Sequence, residues 1–412
     1  MSQHEFSRRG FLYTSGALMA WAFMPRIASA APSSHDPRFV MIVLRGALDG
    51  LAAVAPRGDP DYERTRNGLV MPTDGTGAGV KLDGFFELNG NMPKFAELYR
   101  NKQGLIVHAA ASPYRERSHF DGQDVLESGQ TAPGRTDAGW LNRALQALPR
   151  GEAIAKRDAL ALGAEIPLIM RGRANVVTLM PAGGIPPAPD TRSRLLDLYT
   201  HTNPMLAEHL SEALNLEASI GGADGMTAMT KASAAMGGDQ QERAFRTAGM
   251  TAGKLLAKAD GPRVGAMSLL GWDTHAAEGP LDGRLGKLLS ALDQTIDGLK
   301  SELGDAWKQT VVVVATEFGR TVRMNGTSGT DHGTATTMFL AGGALKGGRV
   351  IADWPGLAEK ALYEQRDLRP TTDARSIFKG VLRDHLGLSE KVLAEHIFPD
   401  SNSAKPMGGM IA

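Results

Sequence analysis

Five short runs of almost unbroken apolar residues constrain this chain more than any other feature. Phe39-Val-Met-Ile-Val-Leu44 is the clearest, and residues 105–110, 264–270, 310–316 and 336–340 repeat the pattern along 412 residues. A strand with one wet face alternates apolar and polar side chains. A strand that does not alternate is covered on both faces, as in a parallel sheet between two helical layers. Stretches of helical periodicity separate the runs, around 92–100, 281–303 and 373–396, with Asp373 set to cap the last. The alternation predicts an α/β chain with a largely parallel central sheet flanked by helices. Residues 191–258 are rich in Ala, Met, Leu and charge and read as a helical cap or insertion, interrupted at Gly221-Gly222-Ala223-Asp224-Gly225.

The first thirty residues read as an address. Ser7-Arg8-Arg9-Gly10-Phe11-Leu12 is an arginine pair followed by an apolar stretch to Met24, and Ala28-Ser29-Ala30 offers a small-x-small cleavage pattern. This predicts a twin-arginine signal over 1–30 and one α/β domain over 31–412. Its partner would be the twin-arginine export machinery, and its destination the periplasm or the exterior. The 45 Lys and Arg balance 45 Asp and Glu, which argues against a nucleic-acid binder. No apolar run approaches the roughly 20 residues of a membrane span. With no cysteine, any metal must be held by imidazole, carboxylate, amide or hydroxyl groups.

Polar clusters stand beside the apolar runs, where open α/β sheets bind ligands at the carboxyl ends of strands. Asp49 follows the first run, and Ser118-His119-Phe120-Asp121 opens a helix after the second. Trp272-Asp273-Thr274-His275 and Glu317-Phe318-Gly319-Arg320 follow the third and fourth. Asp331-His332, between Gly329 and Gly333, precedes the fifth. Each has a plain structural reading as well: a turn for Asp49-Gly50, helix caps for Ser118 and Asp273, an ion pair with Arg320 or Arg323 for Glu317. Residues His108, His201, His209, His385 and His396 fall in strand or helix contexts that suit structural roles. A phosphate loop, a G-x-S-x-G elbow, a dinucleotide fingerprint and H-E-x-x-H are all absent. What remains is a carboxylate and histidine set suited to Zn²⁺, Mn²⁺ or a similar ion.

Taken together, the arginine pair, Leu44-Arg45-Gly46-Ala-Leu-Asp49-Gly50-Leu51, Ser118-His119-Phe120-Asp121, Gly271-Trp272-Asp273-Thr274-His275, Thr316-Glu317-Phe318-Gly319-Arg320 and Asp331-His332-Gly333 resemble the DUF1501 family of exported bacterial proteins. That family is placed in the alkaline phosphatase-like superfamily. The resemblance implies that fold and a metal-dependent hydrolase of phosphate or sulfate esters, acting on a small anionic ester with one or two divalent ions. It implies Asp49, Asp273, His275, Glu317 and His332 as metal ligands and Ser118 as nucleophile, with Arg320 or Arg45 gripping the anionic oxygens. Two positions depart from the superfamily plan: Asp273 and His275 are separated by one residue instead of three, and Phe318 stands where a ligand histidine is expected. The second departure weakens one metal site unless His119, Asp121 or Asp331 substitutes. It also raises an alternative, a non-catalytic periplasmic binding or assembly factor on a degenerate phosphatase-like fold.

Overall fold

The computed structural model describes residues 36–75, 77–148, 159–163, 166–179, 189–204, 207, 210, 211 and 239–412. The signal expected over 1–30 and the glycine-rich break at 221–225 lie outside the described residues.

Nine strands form one sheet: β1 (Arg38–Arg45), β2 (Gly104–Ala111), β3 (Ala159–Leu162), β4 (Val176–Leu179), β5 (Val264–Leu270), β6 (Thr310–Thr316), β7 (Thr336–Ala341), β8 (Arg349–Ile351) and β9 (Thr372–Asp373). The order is β8-β2-β7-β6-β1-β5-β3-β4, with β9 beside β2. The uninterrupted apolar runs have the expected cause. Along β1, Val40, Ile42 and Leu44 enter one core while Phe39, Met41 and Val43 enter the other, all at most 1% exposed. Alternate side chains leave opposite faces of a strand, so a run apolar at every position supplies both cores at once.

Helices cover both faces. On one lie α2 (Pro93–Arg100), α6 (Asp239–Ala257) and α7 (Arg284–Leu303), with Phe245, Leu255, Leu256, Leu288, Leu292 and Leu299 in the core. On the other lie α4 (Trp140–Ala147) and α8 (Ala374–Leu386), where Trp140 stacks on Phe378 at 4.8 Å between ring centres. Asp373 caps α8 as its sequence position predicts, accepting from the Arg375 amide at 2.8 Å. Within the stretch read as a cap, α5 (Pro189–Thr202) and α6 are the described helices, and α6 packs on the sheet.

One strand breaks the parallel rule. β1 runs parallel to β5 and β6, β3 to β4 and β5, and β8 and β9 to β2. β7 is antiparallel to both β2 and β6. Its reversal matters for the site, because residues that precede β7 reach the same sheet edge as residues that follow the other strands.

Candidate metal centre

The edge is assembled from five chain segments. Past β1, the chain turns at Gly46 with φ +122°, where an added Cβ would stand 2.4 Å from the backbone nitrogen of Asp273. Only glycine lets the two loops meet there. Past β5 come Asp273 and His275, and past β6 come Glu317 and Arg320. The turn after β2 ends at Ser118, and His119 opens α3 (His119–Ser128). His332 arrives on the approach to β7, held by a bridge to Arg320. Gly329 permits the loop to lie on His275, since a Cβ there would be 2.4 Å from that residue's carbonyl carbon.

Three imidazole nitrogens surround one carboxylate oxygen. Asp273 Oδ1 lies 3.0 Å from His275 Nε2, 3.3 Å from His332 Nε2 and 3.5 Å from His119 Nε2. Ligand atoms of His119, Asp273 and His332 all fall within 4.8 Å of one another. The other nitrogen of each ring is engaged. His119 Nδ1 is 2.8 Å from Glu317 Oε1, His275 Nδ1 is 3.2 Å from Asp331 Oδ1, and His332 Nδ1 is 2.9 Å from the Arg117 carbonyl. Carbonyl and carboxylate oxygens only accept, so each neutral ring carries its proton on Nδ1 and turns a bare lone pair inward.

That inward set fits a cation. His119 Nε2 is buried without a hydrogen-bond partner among the described residues. His275 Nε2 and His332 Nε2 approach to 2.9 Å, which two lone pairs tolerate only with a proton or a cation between them. Donors held about 2.0–2.1 Å from a tetrahedral centre are separated by roughly 3.3 Å, close to the spacings around Asp273 Oδ1. Three nitrogens and one carboxylate oxygen, each ring fixed through its far nitrogen, is the pattern by which proteins orient metal-ligating histidines.

Charge around the set is tightly coupled. The neighbouring carboxylates of Asp273 and then Glu317 push the metal-free His119 ring up to about 9. Burial opposes ionisation of Asp273, but its contacts with His119, His332 and Arg320 outweigh it and hold the carboxyl well below its usual range. Burial likewise opposes ionisation of Glu317, and bonds from His119, Gln123 and Thr316 hold it low. Glu317 is fully buried, and its Oε1 also accepts from the Gly46 amide at 2.8 Å.

The remaining sequence candidates separate in space. Asp49 caps α1 (Gly50–Ala53), accepting from the Leu51 and Ala52 amides at 3.0 and 3.2 Å, and pairs with buried Arg66. Glu317 reaches the cluster through His119. Arg320 is buried; its Nη1 lies 2.6 Å from Asp273 Oδ1 and its Nε donates to Thr330 Oγ1 at 3.1 Å. Thr330 in turn donates to buried Glu278 at 2.8 Å. Arg45 is bound to Glu127 at 2.6 Å and to Gln123. Ser118 occupies the N-cap of α3, yet its side chain makes no capping bond. Phe318, where a histidine was expected, packs its ring on His119 at 5.0 Å and on His332 at 5.3 Å. Of the three residues named from the sequence as substitutes for the histidine missing at Phe318, His119 brings its Nε2 to 3.5 Å from Asp273 Oδ1, and Asp331 contacts the far side of the His275 ring.

Residues 101–397 match the family described as "Protein of unknown function (DUF1501)". No curated protein matches the chain. Among solved structures, the chain is similar to Ps i-CgsB in complex with k-i-k-neocarrahexaose, at 9% identity and a TM-score of 0.44, covering 90% of this chain and 77% of that one. It is similar to the phosphonate monoester hydrolase of Agrobacterium radiobacter at 12% identity and a TM-score of 0.35, covering 86% and 74%. It is also similar to the C-terminal periplasmic domain of EcEptC from Escherichia coli, at 9% identity and a TM-score of 0.33, covering 75% and 74%.

Proposed function

We propose that this chain, which belongs to the DUF1501 family, is an exported metal-dependent hydrolase of phosphate or sulfate esters. The observation that carries this reading is the convergence of three imidazole Nε2 atoms on Asp273 Oδ1, each ring locked through Nδ1. In this reading His119, His275, His332 and Asp273 hold a divalent ion, zinc or manganese. When bound, such an ion supplies positive charge that stabilises the ester's non-bridging oxygens as charge builds on them.

The chain's own residues do the rest. Arg117 adopts φ +62° and ties its guanidinium to buried Asp367 at 2.9 Å, which fixes the turn that presents Ser118. The Ser118 hydroxyl, free of any capping bond, is the nucleophile in this reading. The first amides of α3, which lack a side-chain cap, orient anionic oxygens at the helix start. Arg320 holds Asp273 in place, and Glu317 keeps the proton of His119 on Nδ1. Among the described residues no helix is long and apolar enough to cross a membrane.

One observation favours a second reading, a non-catalytic periplasmic binding or assembly factor. Arg320 already satisfies the same Asp273 oxygen that a metal would use. Purified protein assayed for bound metal and for turnover on a panel of phosphate and sulfate esters separates the two. The hydrolase reading expects metal in wild type and its loss in Asp273→Ala and His332→Ala. It also expects Ser118→Ala to keep the metal while turnover falls about a thousandfold or more. Metal with no turnover on any ester supports the binding factor. Protein that stays metal-free after incubation with zinc or manganese overturns the metal reading altogether.

A further inference from the structure

A cavity of about 490 Å³ opens beside the cluster, within the roughly 300–1,000 Å³ of small-molecule sites. One wall is a single face of α3: Phe120, Gln123, Asp124 and Glu127 follow helical spacing, one residue along from His119. The facing wall is the end of β5, with Ser268 and Leu270, three residues before Asp273. Gln123 joins cavity to cluster, since its Nε2 donates at 3.1 Å to the Glu317 oxygen that holds His119.

The lining is amphipathic. Phe120 is 88% and Leu270 48% exposed, so two of the four large apolar side chains exposed among the described residues meet at this one cavity. Asp124 lines the wall, and one of its carboxylate oxygens is buried behind it with no hydrogen-bond partner among the described residues. Arg171 also lines the cavity, its Nε donating to the Ile166 carbonyl at 2.9 Å. Arg45 is neutralised by Glu127 and braced by Ser268 at 3.1 Å.

Three ligand classes fail on this chemistry. A bare anion meets the Asp124 carboxylate, a simple cation meets Arg171, and an alkyl chain offers neither charged side chain a polar partner. A hydroxylated ring suits this mixed lining, because a hydroxyl both donates to a carboxylate and accepts from a guanidinium while the ring's C–H face lies on apolar side chains such as Phe120, Leu162 and Ile166. We propose that this cavity is a subsite for a sugar ring, held by Phe120, Asp124 and Arg171 beside the metal cluster. That the ring is the alcohol part of an ester substrate rests on the hydrolase reading; the binding of the ring does not.

The test therefore uses metal-free protein and neutral probes. Saturation-transfer NMR and titration with cellobiose, lactose and mannobiose should detect binding of at least one disaccharide to wild type. Phe120→Ala and Asp124→Asn should each weaken it roughly tenfold, and Phe120→Tyr should retain it. Absence of transfer from all three sugars overturns the subsite. So does binding that is unchanged in both variants, or benzyl alcohol binding more tightly once Asp124 is replaced. Sugar binding by a protein that hydrolyses no ester upholds the subsite and sinks the hydrolase reading. Methyl phosphate turnover without sugar binding does the reverse.

Discussion

At the scale of single residues, His119 links the buried carboxylate Glu317 to the exposed end of the cluster at Asp273. Its ring is pushed up to about 9 from 6.5 by Asp273 and then Glu317. A folded value above the ordinary one means that protonation stabilises the metal-free fold, fully below 6.5, with the contribution lost as pH rises through about 9. A metal needs the neutral ring, so its affinity must move the opposite way across the same window. We expect the melting temperature of metal-free protein to fall over that window while zinc affinity rises, with proton release visible by calorimetry in buffers of different ionisation heat. A metal-free melting temperature that does not change there would contradict the assignment. Glu317→Gln removes the charge that fixes the His119 tautomer. It should lower metal affinity about 10–100-fold, read by competition with a chelating dye, without abolishing the fold.

At the scale of elements, the five apolar runs became strands because an uninterrupted pattern can be satisfied only between two cores. β3 and β4 escaped detection: Ala-Leu-Ala-Leu and Val-Val-Thr-Leu are four residues each, too short to stand out from their surroundings. The direction of β7 was equally illegible, since periodicity reports which faces are buried and is blind to which way a strand runs. Yet that direction brings His332 to the edge; in an all-parallel sheet a residue preceding a strand would end on the far side. Asp273 and His275 were legible because they directly follow a strand. Asp49 follows one too, and its partner, buried Arg66, lies in a loop that no local pattern marks. The contact between the β1 and β5 loops makes its own prediction. Gly46→Ala forces a Cβ against the Asp273 backbone at a positive φ. It should cost about 1–3 kcal/mol in thermal melts and weaken metal binding together. A loss of stability with metal affinity intact would show that the two loops are not coupled.

At the scale of the whole molecule, the sheet edge gathers side chains more than two hundred residues apart in sequence, such as His119 and His332. Binding at that edge should therefore stabilise the entire fold. Zinc at a hundredfold excess over its dissociation constant adds about 2.7 kcal/mol. The accompanying rise in melting temperature should vanish in His332→Ala, and a rise of equal size in that variant would move the metal elsewhere. The central claim is that His119, His275, His332 and Asp273 form one metal centre. Anomalous diffraction at the zinc edge, from crystals grown with the ion, tests it most directly. The account predicts a peak within bonding distance of the three Nε2 atoms and Asp273 Oδ1. Density without such a peak, with Arg320 alone on Asp273, would contradict it.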